Sequence, residues 1–330
     1  MDVAKRHRVA IVDHGFRDTQ PERAVLAGID ADVIERQCAG EEEVIAAAAG
    51  ADAILCDASP ITRRVLEALP SVRIVSEYGI GVDNIDLAAA DELGVWVANV
   101  PGFCTEEVAN HTLALILAAA RRLLELDRVA RTPGWTPASS TDDIQRLSSQ
   151  TLGLVGFGRI ARAVAVRARA FGLRVLAWSP SLTPESAASA GVEYAGLDDL
   201  VAASDYVSLH VPNTPDTRGL IDLRRLALMR PTAWLVNTGR GALVDEDALL
   251  AALTSGRLAG AALDVRRREP PSAPDPLASL PNTILTPHRA YYSQQSLHDL
   301  QTIAAQSVVA VLSGQEPYSA VVRPARPRAG

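Results

Sequence analysis

The chain has 330 residues, 48% of them hydrophobic and 22% charged, with a formal net charge of −7. That length exceeds one ordinary core and predicts two domains of globular composition. The acid excess provides no global basic field, so neither nucleic acid nor an anionic membrane is an expected partner.

The only lysine is Lys5, at a terminus read as frayed, which argues against lysine Schiff-base chemistry. Lys5, Arg6 and Arg8 are not followed by a long apolar run, so no signal peptide is read. Strands are predicted over 9–12, 53–56, from 74 and over 95–98, with helices over 41–49 and 62–68. Alternating β and α segments of this size predict a parallel sheet covered by helices. Cys38, Cys56 and Cys104 are odd in number and widely spaced, with no CxxC pair. They read as reduced thiols in a cytoplasmic protein without a metal site.

A long helix is predicted over 106–126, with Thr105 as N-cap and Glu106 and Glu107 at its positive end. Its apolar stretch, 113–120, is far too short to span a membrane. Residues 132–149, rich in Pro, Ser, Thr and Gly, read as a loop into a second β/α series. There strands are predicted over 151–155, 174–177, 206–209, 233–237, 259–264 and 283–285. A helix over 293–312 and a disordered tail from 317 end the chain. The pairs Arg121-Arg122 and Arg224-Arg225 read as solvated helix faces.

The strand over 151–155 runs directly into Gly156-Phe157-Gly158-Arg159-Ile160-Ala161. This is a dinucleotide fingerprint with Ala in the third glycine place. Gly156 makes the tight turn, Gly158 lets backbone approach a pyrophosphate, and the third position needs only a small side chain. The pyrophosphate would face the N-terminus of the following helix. The next strand ends Trp178-Ser179-Pro180, without the acid that selects NAD and without an Arg that rewards a 2′-phosphate. Ser179 can bond a ribose hydroxyl, and the choice between NAD and NADP stays open.

With these stretches in place the chain resembles the D-isomer-specific 2-hydroxyacid dehydrogenases over nearly its whole length. The resemblance rests on 78–86, 156–161, His210-Val211-Pro212 with Thr217, 237–241, Asp264-Val265 with Glu269-Pro270, and Thr286-Pro287-His288. Residues 99–109 and 288–293 look most like the branch around the C-terminal binding proteins. The resemblance implies an α/β protein of two doubly wound parallel-sheet domains. A Rossmann-type NAD(P) domain (102–289) would be inserted into a flavodoxin-like substrate domain (1–101 plus 290–330). It also implies a homodimer using the helix after residue 103.

Reducing a 2-oxo acid requires a carboxylate clamp, a proton donor and a hydride. Arg240 suits the first, because its planar fork matches a carboxylate. His288 suits the second. Glu269 suits a supporting role, fixing the His288 ring and keeping it charged for the reduction; Arg266-Arg267-Arg268 are its competing partners. The resemblance puts Asp264 near the nicotinamide ribose and lines the cofactor with Val211, Thr217, Thr238 and Gly239, besides Gly156, Gly158, Arg159, Ile160 and Ser179. It makes Ile80, flanked by Gly79 and Gly81, part of a loop closing over substrate. His111, His210 and His298 read as structural.

Glu77 is an acid at the entry to that loop. It either repels a distal anion, selecting a neutral or cationic far end of the substrate, or faces solvent or Arg73. Tyr291 and Trp135 are candidate aromatic walls. The expected activity is hydride transfer between NAD(P) and C2 of a small 2-oxo or 2-hydroxy acid. The alternatives are a corepressor-like NADH sensor and oxidation of a phosphite- or phosphonate-type anion on the same scaffold.

Overall fold

The computed structural model describes residues 6–135 and 144–328. Lys5 and the middle of the 132–149 loop lie outside them. The chain divides into two compact units, Met1–Phe103 with Ser293–Gly330, and Cys104–Tyr292.

The first unit carries strands β1 (Arg8–Ile11), β2 (Asp32–Glu35), β3 (Ala53–Cys56), β4 (Ile74–Glu77), β5 (Trp96–Ala98) and a late β13 (Ala320–Val322), in the order β13-β5-β4-β3-β1-β2. All pairings are parallel except β13 on β5. Every residue of β3 and β4 is buried, as expected of a parallel sheet covered on both faces. Alternate side chains feed two cores. Ala10, Val12 and Ile54 join Val44, Val65, Leu66 and Ala89 from α2 (Glu41–Ala47), α3 (Arg63–Ala68) and α4 (Leu87–Glu92). Val9, Ile11 and Leu55 join Leu26, Leu300, Ala304 and Val308 from α1 (Gln20–Leu26) and α12 (Gln294–Leu312). Thr62 caps α3 and Ser293 caps α12 through a capping box with Ser296.

The second unit holds a seven-stranded, wholly parallel sheet. Its order is β12 (Thr283–Leu285), β11 (Gly260–Leu263), β10 (Trp234–Asn237), β9 (Tyr206–Leu209), β6 (Thr151–Val155), β7 (Arg174–Trp178) and β8 (Glu193–Tyr194). Helices α5 (Thr105–Ala120) and α7 (Arg159–Ala170) pack on one face, where Leu113, Ile116, Val164 and Ala168 meet Leu152 and Leu154. Helices α9 (Leu197–Ala203), α10 (Leu223–Leu228) and α11 (Glu246–Thr254) cover the other, where Leu200, Leu226 and Leu249 meet Val207 and Leu235. A Cβ at Gly153 would lie 2.4 Å from Leu200 Cδ2, so glycine in β6 lets α9 sit down on the strand. A short helix, α8 (Pro184–Ser189), follows β7.

Three expectations are corrected. The single helix over 106–126 is two, because Arg122 adopts the left-handed conformation (φ 47°) between α5 and α6 (Leu123–Ala130). Up to Ala120 the helix buries one residue after another, whereas α6 buries none, so nothing holds the chain on the first axis. Thr105 is the first helical residue, and Cys104 occupies the cap. The tail beyond 317 is ordered through 328: β13 pairs antiparallel with β5, and the Arg328 guanidinium donates to the carbonyls of Leu66, Leu69, Val72 and Leu93. Its polar composition satisfies backbone carbonyls instead of solvating a free chain. The edge strand β2 escaped the sequence reading because it is only half-buried and lacks a full apolar run.

No helix among the described residues is long and apolar enough to cross a membrane. The three cysteines are free and buried, and the described residues contain no cluster of metal-ligand type.

Candidate active site

The carboxyl ends of the second unit's strands gather most of the candidate residues. Gly156, directly after β6, has φ 98°, and a Cβ there would lie 2.5 Å from the carbonyl carbon of His210; both facts require glycine. Gly158 caps α7 and faces open space, with no atom within 4 Å of where a Cβ would stand. Ala161 is fully buried in the third glycine place. Arg159 is exposed and Ile160 packs on the core. An open glycine followed by the free N–H groups of a twelve-residue helix fits a dinucleotide pyrophosphate.

Around that edge Val211 is buried and Ser179, just beyond β7, is half-buried with no acid beside it. The Thr217 hydroxyl donates to Pro212 O (2.5 Å) and accepts from the Thr214 N–H (2.8 Å), so it closes its own loop. The Thr238 and Thr112 hydroxyls are 2.9 Å apart; because Thr112 donates to Val108 O, Thr238 is the donor between them. The Gly239 N–H is taken by Asn237 Oδ1 (3.0 Å). His210, bonded to Ser208 Oγ (2.9 Å), is held down to about 4 by burial and carries no charge at neutral pH.

At the β11 and β12 end, His288 Nδ1 lies 2.6 Å from Glu269 Oε2. Glu269 Oε1 accepts the Arg266 N–H at 2.7 Å. Burial pushes the Glu269 carboxyl upward, but the bonds from His288 and the Arg266 N–H, with the nearby charges of His288 and Arg240, outweigh it and hold the group below its usual value. Glu269 is therefore ionised at neutral pH. Arg240, in the turn after β10, donates from Nη1 to Gly239 O (2.9 Å). Pro270, Pro271, Thr286 and Pro287 join His288 and Glu269 around a cavity of about 390 Å³. The Tyr291 ring stands edge-on to the His288 ring, 6.2 Å between centroids, whereas Trp135 is 61% exposed.

His288 adopts the left-handed region (φ 52°), which costs a non-glycine residue about 1–2 kcal/mol. Asp264 offsets that strain. Its Oδ1 accepts the Thr286 hydroxyl (2.5 Å) and the Arg289 N–H (2.9 Å), its Oδ2 accepts the Ala290 N–H (2.9 Å), and its own carbonyl accepts the His288 N–H (2.8 Å). Asp264 is 1% exposed, and its side-chain oxygens build the histidine loop. His111, 3.0 Å from Thr286 Oγ1, backs the same loop.

The arginine run does not compete for Glu269 through its side chains. Arg266 pairs with Asp275 and Glu246, Arg267 with Asp247, and Arg268 with Ser272. Glu246 and Asp275 were not singled out from sequence. Their only sequence signal is that acids stand at both ends of the Arg266 neighbourhood.

In the first unit, Gly79 and Ile80 form the turn after β4, held by the Val100 N–H on Gly79 O (2.8 Å) and Asn99 Nδ2 on Ile80 O (2.7 Å). Ile80 is 38% exposed, which leaves its side chain presentable to a ligand. Glu77 differs from both sequence readings. It is 2% exposed, its Oε2 accepts from Asn84 Nδ2 (3.1 Å) and Cys56 Sγ (3.2 Å), and Arg73 is engaged instead by the carbonyls of Val311 and Leu312. Burial pushes its carboxyl well above the usual range, so the argument from like-charge repulsion at the substrate's far end falls.

Comparison with known proteins gives this site its class. The NAD-binding domain of the D-isomer-specific 2-hydroxyacid dehydrogenases matches residues 113–290. A glyoxylate reductase of Korarchaeum cryptofilum is 42% identical over 274 residues, covering 81% of this chain and 82% of its own. D-lactate dehydrogenase from Aquifex aeolicus, solved with NAD and lactic acid, is 29% identical with a TM-score of 0.86, covering 96% of this chain and all of its own. An NADPH-dependent glyoxylate/hydroxypyruvate reductase from Sinorhizobium meliloti, solved with NADP and malonate, is 28% identical with a TM-score of 0.85, covering 99% and 100%. The chain belongs to the D-isomer-specific 2-hydroxyacid dehydrogenases, NAD(P)-dependent oxidoreductases acting on CH–OH groups.

Proposed function

We propose that the protein reduces a small 2-oxo acid, of the glyoxylate or hydroxypyruvate class, to the D-2-hydroxy acid, with Arg240, Glu269 and His288 as its working side chains. The single observation that carries this reading is the 2.6 Å bond between His288 Nδ1 and the ionised Glu269. With Nδ1 engaged, Nε2 is the nitrogen left to serve a substrate. Gly156, Gly158, Arg159 and Ile160 would hold the cofactor at the start of α7, with Ser179, Val211, Thr238 and Gly239 near it. When bound, the nicotinamide supplies the hydride.

The chain's own residues do the rest. Arg240 receives the substrate carboxylate through its guanidinium fork and draws electron density from the adjacent carbonyl. His288 gives its Nε2 proton to the carbonyl oxygen as C2 becomes tetrahedral. Glu269 stabilises the charged ring before transfer and keeps its plane fixed. In this reading Gly79, Ile80 and Tyr291 are further substrate-binding residues.

Relatives named glyoxylate reductase support the substrate class. A homodimer is also part of the proposal, since α6 exposes Leu123 (58%) and Leu124 (44%) side by side. Oxidation of NADH and NADPH should be followed against glyoxylate, hydroxypyruvate and phosphohydroxypyruvate, beside His288→Ala. A loss of kcat of about 10²–10⁴ in that variant is expected for a deleted general acid. Tight cofactor binding without turnover on any acid would refute the assignment and favour a sensor, whereas a fully active His288→Ala would remove His288 as the proton donor.

A further inference from the structure

Beside Glu269, and lining the same cavity through Arg266 and Asp275, lies an ion cluster with no part assigned to it in the reaction above. The Arg266 side chain is only 11% exposed. Its Nη1 and Nη2 reach both oxygens of Asp275, at 2.5 and 3.0 Å, and its Nε donates to Glu246 Oε1 at 3.3 Å. Asp275 Oδ1 also takes the Leu277 N–H (3.1 Å), and Glu246 Oε1 also takes the Arg267 N–H. Glu246 stands in the first turn of α11, the helix that follows the Arg240 turn. The cluster therefore joins three segments: the start of α11, the 264–269 loop and the 275–279 turn.

Withdrawing one guanidinium and two carboxylates from water is costly, and such a triad is a weak source of net stability. What it can do is fix main chain. The Arg266 N–H donates to Glu269 Oε1, while Oε2 of the same carboxylate meets His288. The amide that aims Glu269 thus belongs to the residue whose side chain the two acids hold. Gly241 closes the brace from the other side, since a Cβ there would lie 1.9 Å from the Arg266 carbonyl carbon. Arg267 is 55% exposed and its partner Asp247 80%, so that pair contributes little.

We propose that Arg266, held by Asp275 and Glu246, is a positioning residue that directs the Glu269 carboxylate and through it the His288 ring; this rests on the reading of His288 and Glu269 as the working pair. Arg266 and Asp275 also line the cavity that holds Glu269 and His288, but the role proposed for Arg266 is to aim Glu269 and not to bind substrate. Its effect passes entirely through Glu269.

The test is a double-mutant cycle on the purified enzyme with glyoxylate and NADH or NADPH, using Arg266→Met, Glu269→Gln and the pair. Arg266→Met should lower kcat about tenfold, the scale of lost second-sphere support, with both KM values within about twofold. In the Glu269→Gln background the same change should cost less than about twofold, because the residue it acts through is gone. Arg266→Lys should restore part of kcat, and Asp275→Asn, which keeps the shape of the cluster, should reproduce the loss if Arg266→Met folds poorly.

A readout independent of turnover is the His288 ring proton on Nδ1, observed by NMR. Its downfield resonance should broaden or move upfield in Arg266→Met. Additive losses in the cycle, or an unchanged resonance with unchanged kcat, would overturn the proposal while leaving the His288–Glu269 reading intact. Wild-type kcat in Glu269→Gln would instead remove that reading, and the proposal with it.

Discussion

At position 77 a carboxyl group is enclosed between Asn84 and Cys56, and both donate to the same oxygen. Burial favours its neutral form, while those two donors favour the anion; burial wins. A carboxyl raised in the folded state contributes stability at pH values below its unfolded value near 4.5, and that contribution is lost as pH rises toward its folded value. Gln has the same shape and carries no charge to desolvate. Glu77→Gln should therefore match the wild type near pH 4 and become progressively more stable than it toward pH 8, as read from denaturation midpoints. Its preference among oxo acids should stay as it was, because Glu77 supports the turn from beneath. A switch toward phosphohydroxypyruvate would restore the direct-contact role that burial argues against.

At the scale of elements, the segment after 317 behaves as part of the first unit's sheet. Ser319 Oγ donates to Asn99 Oδ1 (2.9 Å), and Asn99 Nδ2 donates to Ile80 O, so the tail braces the turn that carries Ile80. Arg328 reaches Leu66 in the last turn of α3, where helix carbonyls run out of intrahelical partners, and also Leu69, Val72 and Leu93. Gly94 (φ 75°) permits this approach, since a Cβ there would lie 2.4 Å from Arg326 O. Arg328→Ala should cost about 2 kcal/mol, the scale of lost charge-assisted hydrogen bonds to buried acceptors. Hydrogen exchange should show the loss first in β13 and its partner β5. Unchanged protection there would mean that β13 holds the tail without the arginine.

At the scale of the whole molecule, the response to acid should come in two stages. His210 sits near 4 in the folded protein against about 6.5 when unfolded. The unfolded chain therefore binds its proton first, and the stability this histidine contributes is complete above pH 6.5 and falls as pH drops from 6.5 to about 4. Its full range is on the order of 3 kcal/mol. Glu77 works in the opposite sense above pH 4.5, so the difference between the wild type and His210→Asn isolates the histidine. That difference should shrink as pH falls through the window. The second stage belongs to paired carboxylates. Glu35 is held to about 2 chiefly by Arg23 and Thr19, and Asp198 to about 2 by Arg224 and Arg225. Their stabilising contributions persist above their usual values and disappear as pH falls toward 2. A wild type and His210→Asn pair with parallel profiles from pH 8 to 4 would show that the ring is hydrated.

Local rules were enough to read much of this protein from its residues. Strands of parallel sheets are buried on both faces, so β3, β6 and β9 appear as short apolar runs bounded by turns. The Gly156-to-Ala161 turn is legible because each small residue answers a local steric need. The types and spacing of Arg240, Glu269 and His288 pointed to the ends of neighbouring strands. Tertiary structure alone decided the features that depend on partners distant in sequence. Whether Glu77 meets a ligand or a buried amide depends on where residues 56 and 84 fold. Whether a Pro- and Arg-rich tail is ordered depends on unpaired carbonyls in α3 and an open edge at β5. Which of three adjacent arginines matters depends on two acids brought in from α11 and the 275 turn. Periodicity reports one element's faces, whereas burial and ion pairing are set by the neighbours that the fold supplies.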